Sequence, residues 1–236
     1  MLDPYNRTIN YLRISVTDRC NLRCTYCMPA EGIALKSHKE ILRHEEIVAF
    51  TRVAVEMGID KVRITGGEPL VRRGIVDLVA SLARIGGIRD LTMTTNGILL
   101  DQYAQQLADS GLMRVNISLD SLDPARYRQI TRVGDVSRAL AGIDAALAAG
   151  LTPVKINTVI QKSSEEPDAR EVARFAAERG IMVRFIRQMD LCSGSFWVVE
   201  GGEGGNCAIC NKLRLTSTGG LKPCLFSDIE YPIREL

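Results

Sequence analysis

The stretch Lys61-Val62-Arg63-Ile64-Thr65-Gly66-Gly67-Glu68-Pro69 runs into a segment whose apolar residues are Ile75, Leu78, Val79, Leu82 and Ile85. Lys61 to Thr65 is rich in β-branched residues and reads as a short buried strand. The apolar residues that follow recur at i, i+3, i+4, i+7 and i+10, which is one face of a helix. Strand, turn and helix make one βα unit.

The same beat recurs on both sides. Strand patterns occupy residues 12–17, 61–65, 91–95, 114–119, 153–160 and 183–186, with five helical patterns between them. Gly58, Gly87, Gly111, Gly150 and Gly180 each stand shortly before the next strand, where the left-handed position that ends a helix favours glycine. Asp123-Pro124 and Asp168 are expected helix starts, with Asp as the N-cap and Pro in the first turn. Successive βα units imply an α/β fold with a parallel sheet and right-handed crossovers. A partial (β/α)6 barrel of the TIM type and an open doubly wound sheet share this periodicity.

The beat stops near Asp190. Residues 193–206 carry Gly194, Gly201, Gly202, Gly204 and Gly205 and read as a flexible connection. The remaining segment, from Cys207 to Leu236, is too short to fold without a staple such as a bound metal cluster. The expected division is therefore residues 1–192 as the βα body and residues 193–236 as connection and cysteine segment.

Thirty basic against 28 acidic residues give a net charge of +2, with no sign of a nucleic-acid surface. No run approaches the ~20 apolar residues that span a bilayer. Residues 1–6 lack the basic and apolar regions of a signal peptide, so a cytoplasmic protein with no membrane partner is expected. In that compartment seven cysteines point to metal ligation or catalysis rather than disulfides. With only His38 and His44 available, any metal chemistry runs on thiolates.

Cys20, Cys24 and Cys27 form a C-x3-C-x2-C run directly after the first strand pattern. In barrel enzymes such loops sit at the face where chemistry occurs. Three thiolates can hold three irons of a cubane and leave the fourth open to a ligand, whereas four would close it. A zinc knuckle is the alternative, but no fourth ligand lies nearby in sequence.

This run, with Tyr26 before its third cysteine, resembles the radical S-adenosylmethionine (radical SAM) superfamily. The resemblance extends to Gly66-Gly67-Glu68-Pro69, which is similar to the superfamily's turn for the methionine amino group. There the glycines would let carbonyls approach a ligand, and Glu68 would place negative charge near an ammonium. Within the superfamily the chain resembles the GTP 3′,8-cyclase family of molybdenum cofactor biosynthesis, from Leu12 to Asp190 and again from Cys207 to about residue 235. The resemblance implies a partial barrel and a second [4Fe-4S] cluster on Cys207, Cys210 and Cys224, whose open iron takes the purine. A zinc ribbon is the alternative there, and Cys192 is either a fourth ligand or a buried small residue.

By the same resemblance Arg13, Arg63, Thr94, Lys155, Lys212 and Arg214 would contact GTP. Arginine forks suit phosphate oxygens, and lysine supplies a point charge. Lys212 stands where the family usually has Arg. Tyr26, Gly66, Gly67, Glu68, Ser118 and Met189 would line the S-adenosylmethionine pocket. The implied reaction begins with reductive cleavage of S-adenosylmethionine at the first cluster and joins ribose C3′ to guanine C8. An external electron donor is implied, and a homodimer is left open.

The chain departs from the family in two places. Several tens of residues are missing between Asp190 and Cys207, and the sequence ends at Leu236 without a long tail and terminal Gly-Gly. Two other readings stay open at this level. One is a radical SAM enzyme acting on a peptide or another small molecule. The other is a non-catalytic iron–sulfur electron carrier, against which Tyr26 and the Gly-Gly-Glu-Pro turn argue.

Overall fold

The computed structural model describes residues 1–190 and 194–235. Cys192 lies outside the described residues. The body consists of β1 (Tyr11–Ser15), α1 (His44–Glu56), β2 (Lys61–Thr65), α2 (Ile75–Ala83), β3 (Asp90–Thr95), α3 (Leu100–Asp109) and β4 (Arg114–Ser118). It continues with α4 (Pro124–Thr131), α5 (Val136–Ala148), β5 (Lys155–Ile160), α6 (Pro167–Glu178) and β6 (Met182–Arg187). All six expected strands are present, with ends shifted by a residue or two. The crossover from β4 to β5 holds two helices rather than one.

Strand order separates the two architectures that periodicity leaves open. The sheet runs β6-β5-β4-β3-β2-β1, and every neighbouring pair in this body is parallel. A doubly wound sheet reverses its order at a switch point. This order never reverses, so every crossover winds the same way and the helices cover one face. The result is a six-stranded partial barrel.

Each strand alternates between the two faces. Leu12, Ile14, Val62, Ile64, Met93 and Ile117 are fully buried in the layer beneath the helices. On α2, the helix read from sequence, Ile75, Leu78, Val79 and Leu82 are each at most 2% exposed. Burial of this kind is worth roughly 2 kcal/mol per side chain. The five glycines that end helices have φ between +65° and +103°, as the cap geometry requires. Asp123 caps α4 by accepting from Arg126 N at 2.6 Å, with Pro124 at the first position.

Asp168 is not a cap. Glu166 occupies that place before Pro167, and its carboxylate accepts from the backbone N–H groups of Gln161, Lys162 and Ser163. Asp168 instead accepts from Ser121 Oγ at 2.6 Å and pairs with Arg126.

Three short strands continue the same sheet beyond β1. These are β7 (Lys212–Leu215), parallel to β1, then β8 (Gly220–Lys222) and β9 (Tyr231–Pro232), both antiparallel. The segment before β7 is not a loose tether. Phe185 and Glu200 exchange backbone hydrogen bonds at 3.0 and 3.1 Å, which seats the connection on the outer edge of β6. A Cβ at Gly201 would stand 2.6 Å from Val183 O, so glycine serves close approach here rather than freedom. No described helix is long and apolar enough to cross a membrane.

Candidate active site between two cysteine triads

The loop after β1 carries the first triad. Its backbone is tied to the end of α4, because Arg23 N and Thr25 N donate to the carbonyls of Thr131 and Ile130 at 3.1 and 2.9 Å. Arg132 Nη1 clamps the loop from the other side, donating to Arg23 O and Met28 O. A turn closed by Cys27 N to Cys24 O at 2.9 Å brings the last two cysteines together. Leu22 N donates to Cys20 Sγ at 3.4 Å, a contact that supports a thiolate ligand. Cys20 and Cys24 are half-buried and Cys27 is exposed.

Burial pushes all three thiols up, Cys24 to about 12, so positive charge from a bound metal is what would deprotonate them. Among the described residues, no three His, Cys, Asp or Glu side chains converge on a single ion. In a cubane each thiolate takes a separate iron. Three free thiols on one braced loop, one of them already accepting a backbone N–H, form a donor set that fits three irons of a [4Fe-4S] cluster.

The Gly66-Gly67-Glu68-Pro69 turn packs directly on this loop. Gly67 N donates to Thr17 O, and Glu68 N to Arg19 O, both at 2.8 Å. A Cβ at Gly67 would fall on the Arg19 carbonyl oxygen, and one at Gly66 would stand 2.7 Å from Thr17 O. The close approach demanded of these glycines is therefore to the cysteine loop itself. Glu68 is only 1% exposed. Its carboxylate accepts from Leu70 N at 3.0 Å, Thr95 Oγ1 at 2.7 Å and Asn96 N at 2.7 Å. Burial raises its pKa while those donors oppose the shift. Glu68 thus braces the turns after β2 and β3, in addition to any charge it presents to a ligand. Arg72 completes the brace by donating to the carbonyls of Val16 and Leu42.

Two residues of this region escaped the sequence reading. Asp120, just beyond β4, accepts from Tyr26 OH at 2.6 Å and from Val159 N at 2.8 Å, which fixes the aromatic ring beside the cysteines. Burial raises the Asp120 carboxyl, and burial together with the Asp120 charge raises the Tyr26 hydroxyl. Asn96 donates to Asn21 Oδ1 at 2.7 Å and faces Cys20 Sγ at 3.9 Å. Neither forms part of a spaced motif. Ser118 ends β4, and Met189, 38% exposed, follows β6, so both lie at the C-terminal ends of the strands.

The inner face of the barrel holds a second feature, a cavity of about 470 Å3. Its lining includes Arg13, Arg63, Lys155 and Lys212 from the sequence reading, joined by Lys61, Arg114 and Arg184. Seven cations thus face two acids, Asp90 and Glu203. Register explains the gathering. Arg13 stands opposite both Arg63 and Arg214, Asn116 stands opposite Thr94 and Lys155, and Asn157 opposite Arg184. Thr94 and Arg214 share these rows without lining the cavity directly.

The cations are under-compensated. Arg13 Nε, Arg184 Nε and Thr94 Oγ1 are buried without a hydrogen-bond partner among the described residues. Burial pulls the Arg63 guanidinium down to about 10 and also lowers Arg13, Lys155, Lys212 and Arg214, with neighbouring cations adding to the shift at the first four. With its amide oxygen turned toward the cations, Asn116 accepts from Arg63 Nη1 at 2.9 Å and Arg184 Nη1 at 3.3 Å. Such an arrangement suits a polyanionic ligand. The missed cations carry a signal in retrospect: polar residues at every second position of a buried strand, as in Lys61/Arg63 and Lys155/Asn157.

The second set of cysteines lies toward the opposite end of the strands. Cys207 and Cys210 immediately precede β7, and Cys210 N donates to Cys207 O at 3.2 Å. β8 runs back antiparallel, with Lys222 opposite Arg214, so Cys224 returns toward the start of β7. Cys210 and Cys224 both act electrostatically on Arg214. The first triad follows the C-terminal end of β1, while this one lies at the N-terminal end of its parallel neighbour β7. Five residues of strand between them span ~16 Å.

Comparison with known proteins agrees with this geometry. The family model described as the radical SAM superfamily matches residues 14–176. A GTP 3′,8-cyclase of Petrotoga mobilis is 44% identical over 280 aligned positions, covering 100% of this chain and 87% of the relative. That of Alkaliphilus oremlandii is 45% identical, covering 99% and 86%. The 280 positions exceed the 236 residues of this chain, so about 44 positions of the first relative have no counterpart here. The structure of Streptococcus suis SuiB bound to S-adenosylmethionine superposes with a TM-score of 0.73 at 19% identity, covering 98% of this chain and 64% of that one. Native anSMEcpe with bound AdoMet gives 0.70 at 16% identity, covering 95% and 79%. These two structures share the fold. The chain belongs to the radical SAM superfamily, whose members bind a [4Fe-4S] cluster and S-adenosylmethionine, and within it to the GTP 3′,8-cyclase family.

Proposed function

We propose that the protein converts GTP to (8S)-3′,8-cyclo-7,8-dihydroguanosine 5′-triphosphate in molybdenum cofactor biosynthesis. The observation that carries this reading is a cavity of under-compensated cations between two cysteine triads at opposite ends of one parallel strand pair. A nucleoside triphosphate has the matching form, with several negative charges at one end and a coordinating base at the other. An electron carrier needs no such cavity.

Residues 1–192 form the catalytic barrel in this proposal, and residues 193–236 the connection and auxiliary segment. Cys20, Cys24 and Cys27 would hold the first cluster, and Cys207, Cys210 and Cys224 the second. The bound clusters and S-adenosylmethionine supply the electron and the radical chemistry. The chain's own residues do the positioning. Arg13, Arg63, Lys155, Lys212 and Arg214 neutralise and orient the phosphates, with Thr94 Oγ1 as a further donor. Tyr26, Gly66, Gly67, Ser118 and Met189 shape the S-adenosylmethionine side, and Glu68 acts on it through the turn it braces. An external one-electron donor completes the system in a cytoplasmic setting, and light scattering tests for a homodimer.

The experiment is anaerobic reconstitution, then incubation with dithionite, S-adenosylmethionine and GTP. Mass spectrometry is expected to find 5′-deoxyadenosine together with a cyclised product isomeric with GTP. 5′-Deoxyadenosine without that product would assign the barrel to another substrate. In the same preparation, replacing Cys207 and Cys210 by Ala is expected to halve the iron content of about eight per chain, since each cubane holds four. Loss of all iron would overturn the division of ligands.

A further inference from the structure

The connection between β6 and β7 has a task that follows from topology. β6 is one edge of the sheet, and β7 lies beside β1. The chain between them therefore crosses the open side of the partial barrel. It crosses at the N-terminal end: from Glu200, paired with Phe185, it runs past Val183 and Arg184. It then reaches Asn211, whose carbonyl accepts from Tyr11 N at 3.1 Å at the start of β1.

This strap is built in place. Val199 N donates to Gly204 O at 2.8 Å, and Gly202 N to Val199 O at 3.2 Å, which closes a tight turn. Ser164 Oγ donates to Glu200 Oε1 at 2.8 Å, and Arg187 stacks 4.1 Å above the Trp197 ring. Gly202 packs against Arg184, where a Cβ would stand 3.2 Å from Nε. Val199, Gly201, Gly202, Glu203 and Gly204 consequently wall the cation cavity.

The two acids of that cavity differ. Asp90 is bound through both carboxylate oxygens by Arg114 and is already neutralised. Glu203 is exposed, lines the same cavity as Lys212, and forms no hydrogen bond or ion pair among the described residues. An unneutralised carboxylate at the rim of a polyanion site repels whatever ligand reaches it.

We propose that Glu203, carried on the strap of residues 199–204, limits the length of phosphate chain the cavity accepts. A short chain sits among the inner cations, Arg13, Arg63 and Arg184. A chain longer than the substrate's three phosphates runs past Lys212 and meets Glu203. This inference rests on the reading of the cavity as a phosphate site, and the experiment separates the two.

Inorganic pyrophosphate, tripolyphosphate and tetrapolyphosphate are titrated calorimetrically into the reconstituted full chain and into Glu203→Gln, without added magnesium. Because Glu203 is exposed, the variant is expected to fold normally. The substitution is expected to tighten tetrapolyphosphate about tenfold and pyrophosphate by less than about twofold, as the repulsion acts only near the rim. Equal tightening at every length, or none, would overturn the role of Glu203 while leaving the phosphate site intact. Failure of all three anions to bind the wild-type protein would overturn the phosphate reading itself, and this inference with it.

Discussion

Replacing Arg13 by Met is expected to stabilise the ligand-free protein and weaken its binding of GTP. Arg13 faces the barrel interior between Arg63 and Arg214, with its Nε buried and without a hydrogen-bond partner among the described residues. Burial and then Arg214 drive its pKa down, so the folded state holds this charge at a cost. Methionine has a similar length and removes both the charge and the orphaned donor. Exchange of a poorly compensated buried charge for an apolar side chain stabilises proteins by about 1–2 kcal/mol in favourable cases. For a chain of this size that raises the melting temperature by about 3–6 °C. Loss of two charge-assisted hydrogen bonds to phosphate should weaken GTP about 100-fold. Differential scanning fluorimetry and calorimetric titration read the two effects on one preparation. Stability and binding that fall together would make Arg13 a structural strut.

The second large effect is at Gly67. Gly67→Ala must separate the Gly66-Gly67-Glu68-Pro69 turn from the cysteine loop, because the added methyl falls on backbone atoms of Arg19. Neither partner can yield by rotating a side chain. Overpacking of this kind costs about 1–3 kcal/mol. The loss of function should be larger than the loss of stability, because the displaced segment carries Cys20, Cys24 and Cys27. Iron bound at the first triad is expected to fall below half, and reductive cleavage of S-adenosylmethionine about 100-fold, since geometry at a reacting centre tolerates little displacement. Gly86→Ala is the matched control, because a Cβ there meets nothing within 4 Å. Gly67→Ala with full iron content and normal cleavage would mean that the turn and loop are not coupled as described.

Much of this architecture is legible in the chain because its signals are local. The six strands are short β-branched runs punctuated by glycines that end helices, and they fold where those runs lie. The choice of a partial barrel is not local. It depends on which strands pair, and both candidate architectures share one periodicity. The β4 to β5 crossover reads as one helix because its break at Gly134-Asp135 is brief and both flanks favour helix. Asp168 reads as a cap from its residue type, but Pro167 takes the first helical position and leaves that place to Glu166.

The site divides in the same way. The first triad is visible from its spacing, whereas the return of Cys224 toward the start of β7 needs the antiparallel course of β8. Asp120 lies 94 residues from Tyr26, and no motif joins them. The glycines of residues 201–205 suggest flexibility by composition. In the folded chain Gly201 and Gly202 let the strap pass close to Val183 and Arg184.

In the proposed reaction GTP lies between the triads, with its ribose toward the first cluster and its phosphates among the inner cations. GTP deuterated at ribose C3′ tests this most directly, with the reconstituted enzyme, dithionite and S-adenosylmethionine. Mass spectrometry is expected to find the deuterium in 5′-deoxyadenosine and missing from the cyclised product. 5′-Deoxyadenosine without deuterium, formed while a cyclised product accumulates, would contradict the placement of the ribose.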